Sequence, residues 1–347
     1  MRLRDTKGPW TQAFVARRPD RRGGLRGGLD RIRMLWRWRR TPLVAAKHWL
    51  PAFAQLLQAA REQFRPDAAL VEMAQMAQYL PFLSGLPTVL TDHEAGCPAN
   101  TQTGLGSLGD ARDRRLWQLH VRRHYPSASL LQAVTPEDAA TLHERTGLPV
   151  VVRPPVCALP SQPVAPGAAP PRALFLGDYS HGPNPEAARR LARELLPRLR
   201  AAVPECELWF AGLHSDRIAD LQRMPGVRIV GFVPEVHTVF AQVRLLLAPV
   251  WSGAGFRMKG LSALAHGLPV VTNPLGARGL AVPTSARQVC DDLDGLVAAA
   301  AAWLRDPVAA AAAGRAAWDF ACQNVSPRGV AAWQLARVRE LLAPTAS

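Results

Sequence analysis

Arg257 and Lys259 follow directly on a run of small residues, Ser252, Gly253, Ala254 and Gly255. Small residues let a backbone approach a ligand closely. Two cations in the first turn of a helix would add charge-assisted bonds to an anion that free N–H groups and the helix dipole already favour. The stretch "WSGAGFRMKGLSALAHGLPVV", residues 251–271, therefore reads as a cradle for phosphate. It holds no carboxylate, so the chemistry it can support is electrostatic, the neutralisation of a diphosphate. A Gly-x-Gly turn beside two cations is equally often plain surface, and the surrounding elements decide its weight.

Those elements alternate. After the Pro/Ala-rich stretch 158–171, "RALFLGD", "CELWFAG", "VRIVGFV", "VRLLLAPV" and "LPVVTN" are short apolar runs separated by helical patterns. Strands that read as continuous apolar runs between helices belong to a parallel sheet covered on both faces. The first of the helices, "NPEAARRLARELLPRLRAAVP", should be capped by Asn184, and "HSDRIADLQRM" by Ser215. In such a sheet ligands bind beyond the carboxyl ends of the strands. "GDYSHGPN" (177–184), "GFVPEVHTVF" (231–240) and the cradle all fall there.

The first half is less regular. "DAALVEMA", "PTVLTDHE", "SLLQAVT" and "PVVVRPP" are strand candidates, and Thr135, Pro136 and Gly147 mark the start and stop of a helix. Residues 1–66 offer helices, a faint strand near Ala13–Ala16 and the glycine-rich "RRGGLRGGLDR", which reads as a basic loop. The opening strand and glycine turn of a Rossmann-like domain are missing.

Residues 1–40 carry 13 Lys or Arg against three Asp, the bulk of the chain's net charge of +15. Such an arm, with Trp36 and Trp38 among its arginines, suits peripheral contact with anionic membrane, or is a solvated helix with both Trp packed inward. It should be poorly packed as a whole. Nucleic acid is disfavoured as a partner because no recognised module accompanies the charge. The five cysteines show neither CxxC spacing nor a His-rich setting, so no metal site, cofactor or disulfide framework is expected. With no signal peptide and no apolar run of spanning length, the expected location is cytoplasmic, at most peripheral at the inner face of a membrane.

Residues 175–280 resemble the donor-binding domain of GT-B glycosyltransferases of the group 1 type, which use nucleotide sugars. The resemblance rests on "FLGDYSHGPN", "VPECELWFAG", "VRIVGFVPEV" and "LLLAPVWSGAGFRMKGLSALAHGLPVVTNPLGARGL", in the family's order and spacing. It implies an α/β protein of two Rossmann-like domains, the first with an incomplete sheet: residues 1–157 with the basic arm, 172–325 for the nucleotide sugar, and a C-terminal helix over 326–347. It implies donor contacts at Gly177, at Gly231, Phe232 and Val233 for the base, and at Gly253, Ala254, Gly255, Arg257, Lys259 and Ser262. "RPDAALVEMAQMAQYL" and "PTVLTDHE" resemble the acceptor-side domain more loosely, and by that match His93 faces the donor sugar as the catalytic candidate. From its sequence position alone, His93 is equally a neutral histidine satisfied by a backbone partner.

Two departures stand out. The family's Glu-x7-Glu pattern would place carboxylates at 254 and 262, where this chain has Ala254 and Ser262. The opening strand is absent, which implies a shortened or degenerate first domain. The expected function is transfer of a sugar from a nucleotide diphosphate sugar to an acceptor, lipid-linked or polysaccharide. The alternative is a non-catalytic module that binds the nucleotide sugar. An epimerase on the same fold would need cleft carboxylates beyond Glu94.

Overall fold

The structure, a computed structural model, describes residues 25–95, 106–252, 258–279 and 282–343, with side chains from Ile32 onward. The strand candidate near Ala13–Ala16 lies outside them, as do Gly253, Ala254, Gly255 and Arg257. Two compact units emerge, Met1–Arg153 with Leu335–Ser347, and Pro154–Gln334.

In the first unit, β1 (Ala69–Glu72), β2 (Thr88–Asp92), β3 (Leu130–Ala133) and β4 (Val150–Val152) pair in parallel and lie in chain order. Among the described residues these four make up its sheet, so the sheet is a reduced one. The helix Pro136–Thr146 starts where its signals stand. The Thr135 hydroxyl accepts from the Asp138 N–H at 3.0 Å, and Gly147 closes the far end with φ 69°. Leu80, Leu90, Trp117, Val121, Tyr125, Leu131 and Leu142 form the core beneath.

The two tryptophans of the basic arm part company. The helix Leu25–Trp38 buries Trp38 against Leu43, Ala46 and Leu116, while Trp36 is exposed. Buried Asp113 accepts from Trp38 Nε1 at 2.9 Å and from the Leu43 N–H at 2.7 Å. The second bond satisfies a donor that the first turn of helix Leu43–His48 would otherwise leave orphaned. The expectation of an arm poorly packed throughout is therefore corrected at its end. A charge run does not report the one carboxylate, 75 residues away in sequence, that fixes it.

In the second unit the strands are β5 (Arg172–Leu176), β6 (Glu207–Ala211), β7 (Val227–Gly231), β8 (Leu245–Leu247), β9 (Val270–Thr272) and β10 (Arg287–Val289). All pair in parallel, in the order β10-β9-β8-β5-β6-β7. This is the doubly wound Rossmann order, and the chain reverses its direction of travel across the sheet between β5 and β8. Separate apolar clusters cover the two faces, one around Phe175, Leu195, Phe210 and Leu304, the other around Leu174, Trp209, Phe240 and Leu264. The strand β10 carries no apolar run, only Arg, Gln and Val, and the sequence pattern passes over it.

Three local expectations change. The glycine-rich stretch 21–31, expected as a basic loop, is helical from Leu25 onward, and the Pro/Ala-rich stretch 158–171 packs on the second unit through buried Val164, Pro166 and Ala169. The helix after β5 begins at Pro183 and Asn184 does not cap it. Ser215 opens a 3-10 segment, Ser215–Arg223, that makes no side-chain cap. Among the described residues no single helix is long and apolar enough to cross a membrane.

Candidate functional site

The carboxyl ends of β5, β6 and β7 finish in a row of glycines. Gly177 N–H donates to the Ala211 carbonyl at 3.0 Å, and Gly212 N–H to the Gly231 carbonyl at 2.8 Å. Gly231 has φ 84°, so the chain leaves β7 through the left-handed region, and Phe232 is thrown out exposed with Val233 half-buried behind it. Flat strand ends with no side chains, beside an exposed ring, suit a planar base and its ribose.

Across the reversal point, the chain leaves β8 through Ala248, Pro249 and Val250. Asn273 pins that exit. Its Oδ1 accepts the Val250 N–H at 3.0 Å and the Gly276 N–H at 2.9 Å, while its Nδ2 donates to the Val250 carbonyl at 2.7 Å. The helix Met258–Ala265 follows and carries Lys259 and Ser262 three residues apart, hence on one side. Lys259 Nζ donates to Asn184 Oδ1 at 2.8 Å and stands 4.1 Å from the centroid of the Phe175 ring. Asn184 in turn donates through Nδ2 to the Asp178 carbonyl at 2.8 Å. The ammonium from the β8 side is thus seated on the loop after β5, at the place where the strand order reverses.

That contact explains why Asn184 is not a cap: its amide is spent on Lys259 and on the β5 loop. Asp178 carries a negative charge nearby, and Glu186 Oε2 accepts from Ser252 Oγ at 3.4 Å. The Asp178 pKa is lowered to about 2 by hydrogen bonds from the Ser180 side chain and N–H, and then by His214, which is 2.9 Å away. Ser262 is half-buried, and its carbonyl is taken by His266 Nδ1 at 2.7 Å.

In the first unit, His93 lies just past the end of β2. Its Nε2 is 2.8 Å from Glu72 Oε2, at the end of β1, and Arg153 Nη1, just after β4, donates to Glu72 Oε1 at 2.6 Å. Burial alone would raise the Glu72 pKa, but the hydrogen bond from His93 and the charge of Arg153 outweigh it and hold the carboxyl below its ordinary value. A carboxylate only accepts, so His93 Nε2 carries the hydrogen and Nδ1 is the acceptor in the neutral ring. The expectation of a backbone partner for His93 is replaced by this side-chain pair. The bed is firm: buried Asp92 accepts from the Tyr125 hydroxyl at 2.5 Å and from the Glu94 N–H at 2.8 Å. Met73, with φ 79°, and Ala95, with φ 53°, flank the pair in the left-handed region. Such outliers persist where surrounding structure holds them, often at working sites.

The structure therefore joins Lys259 to Gly177's loop, lines up Gly177 and Gly231, and gives His93 a partner. Glu72, Arg153, Asn184 and Asn273 escaped the sequence pattern. An acid at the last position of a strand was the available signal for Glu72; Asn184 lay in the ligand-end segment 177–184, but its own cap signal pointed elsewhere. Among the described residues no three His, Cys, Asp or Glu side chains gather as metal ligands.

Comparison with known proteins agrees on family and fold. The family model described as glycosyl transferases group 1 matches residues 170–306. No curated protein sequence matches the chain. Among solved structures, S. aureus TarM superposes with a TM-score of 0.58 at 10% identity, over 83% of this chain and 58% of TarM. Anabaena HepE, solved with UDP and glucose, gives a TM-score of 0.59 at 16% identity over 84% of this chain and 81% of its own. The pneumococcal O-GlcNAc transferase GtfA, solved with UDP and GlcNAc, gives 0.55 at 13% identity over 82% and 60%. The chain thus spans well under two thirds of the length of TarM and GtfA. At these identities the likeness is one of fold.

Proposed function

Since residues 170–306 belong to the group 1 glycosyl transferases, on a GT-B fold of two Rossmann-like domains, we propose that the chain transfers a sugar from a nucleotide diphosphate sugar to an acceptor. The observation that carries this reading is the Lys259 ammonium, seated on Asn184 at the reversal point of the second sheet. When the glycosidic bond to the diphosphate breaks, negative charge grows on the leaving group. Lys259 and Arg257 would stabilise it together with the small-residue backbone of Gly253, Ala254 and Gly255. Gly177 and the turn Gly231, Phe232 and Val233 would hold the nucleoside. Ser262 would offer one hydroxyl to the ribose or sugar. Uridine is the first base to try, because HepE and GtfA were solved with UDP.

In the same reading His93 meets the donor sugar through Nδ1, accepting from a sugar hydroxyl, with Glu72 as its positioning residue. Glu72→Gln should lower kcat/KM for the donor about 3- to 10-fold, the worth of one misdirected hydrogen bond. It should also leave His93 as a mixture of tautomers in ¹⁵N NMR, where the wild type shows Nε2–H. The pH sign follows from the lowered Glu72 pKa. The carboxylate pairing is present above the ordinary Glu value of about 4.3 and is lost only as pH falls through the lower folded value. The Glu72 carboxylate should accordingly stay ionised from pH 8 down to pH 5. A wild-type ring with its hydrogen on Nδ1 would refute the assignment.

The acceptor in this reading is lipid-linked or a polysaccharide, and the chain works on the cytoplasmic side, in peripheral contact with anionic membrane through residues 1–40. A second reading, a module that binds nucleotide sugar without turnover, is favoured by Ser262 standing where a carboxylate would accept two bonds. Calorimetry with UDP, UDP-glucose and UDP-GlcNAc, paired with an assay for UDP release, separates the two. Tight binding with slow hydrolysis supports the enzyme; binding with no release under any acceptor mixture supports the module. No binding of any nucleotide sugar would sink both.

A further inference from the structure

Helix Leu25–Trp38 presents two apolar faces, and among the described residues only one of them is packed. Met34 and Trp38 turn inward: Trp38 is 8% exposed, bonded to Asp113 and covered by the Arg112 guanidinium 4.9 Å from its ring. Ile32, Leu35 and Trp36 turn outward and are 64%, 51% and 64% exposed. Their spacing, three and four residues apart, puts them on a single ridge. Arg33, Arg39 and Arg40 are exposed around it, while Arg37 lies over the Trp49 ring at 4.2 Å and ties the helix further to the unit.

Single exposed apolar side chains are ordinary on a protein surface and carry no message. A ridge of Ile, Leu and Trp rimmed by arginines, on a helix locked in orientation by the opposite face, is different. It matches the pattern of a helix lying in the plane of a membrane interface, apolar side among acyl chains and cations at the headgroups. We infer that the Ile32–Leu35–Trp36 ridge is the surface by which this chain seats on an anionic lipid bilayer. The inference rests on the peripheral part of the reading above and not on its donor chemistry. A nucleic acid would reward the arginines but leave Ile32 and Leu35 without an apolar environment, and an acidic protein surface would do the same.

The test uses the full chain and sedimentation with vesicles of phosphatidylcholine, with and without about one third phosphatidylglycerol. Wild type should pellet with the anionic vesicles and hardly with the neutral ones, since cations near the surface and apolar insertion act together. The double variant Ile32→Ser, Trp36→Ser should partition about 10- to 100-fold more weakly, as two apolar side chains lose their burial. Both positions are exposed, so the fold should be kept, and an unchanged melting temperature checks it. UDP calorimetry on the same samples reports the donor site separately: vesicle binding without UDP binding leaves this inference standing and removes the donor reading. Equal pelleting of variant and wild type would overturn the inference. So would a ridge-dependent dimer with no vesicle binding, or binding to a DNA duplex that the double variant loses while vesicles are ignored.

Discussion

Lys259→Ala should weaken binding of a nucleoside diphosphate by about 10- to 150-fold, the loss of one charge-assisted bond worth roughly 1.5–3 kcal/mol. The structure sharpens this expectation. Nζ is held at 2.8 Å by Asn184 and at 4.1 Å from the Phe175 ring, so the ammonium is placed before any ligand arrives and little ordering remains to oppose binding. Asn184→Ala should act in the same direction and more weakly, because the charge survives but its seat is lost. Ser262→Ala removes a neutral hydroxyl and should cost about 0.5–1.5 kcal/mol, or 2- to 12-fold. Lys259→Arg should not rescue fully, since a planar fork does not fit a seat shaped for a compact ammonium. Calorimetry with UDP decides, with Lys47→Ala in the other unit as control. If Lys259→Ala binds as tightly as wild type, the diphosphate lies elsewhere and the site assignment fails.

Gly212→Ala should be the most damaging small substitution at the donor strand ends. A Cβ built there falls 1.9 Å from the Gly177 carbonyl oxygen and 2.8 Å from its carbon, and the residue holds φ 131°. The obstacle is backbone of the adjoining strand end and not a side chain that could swing away. Overpacking and backbone strain together should cost about 3–5 kcal/mol. For a unit of this size, that lowers the melting temperature by about 6–20 °C. The donor site should go with it, because Gly177 and its loop position Asn184 and, through it, Lys259. Gly231→Ala is the matched control. Its Cβ would meet only Ser215 Oγ, at 3.8 Å, so the strain of φ 84° is the whole penalty, about 1 kcal/mol. Scanning calorimetry of the two variants would show a wide gap; similar melting of Gly212→Ala and wild type would mean that β5 and β6 do not end as described.

The sequence by itself determined what depends on neighbours in the chain. Apolar runs such as "RALFL" and "RLLLA" marked β5 and β8, because the central residues of a strand buried on both faces are apolar in succession. Thr135 and Gly147 bounded their helix because a cap is a bond across three residues. The stretch 251–271, proposed above as the phosphate cradle, stood out as composition at a strand-to-helix turn, with Gly253, Ala254, Gly255 and Arg257 outside the described residues. The tertiary structure alone decided what depends on residues far apart in the chain. Glu72, His93 and Arg153 come from the ends of three strands and meet only because β1, β2 and β4 run parallel and finish at the same carboxyl end of one sheet. Asn184 carried a cap signal, yet a lysine 75 residues on claimed its amide, since a charged donor offers a stronger bond than a helix end that Gly182 and Pro183 can open without it. Trp36 and Trp38 are alike in composition and two positions apart, and the single buried carboxylate of Asp113 sends one inward and leaves the other on the surface.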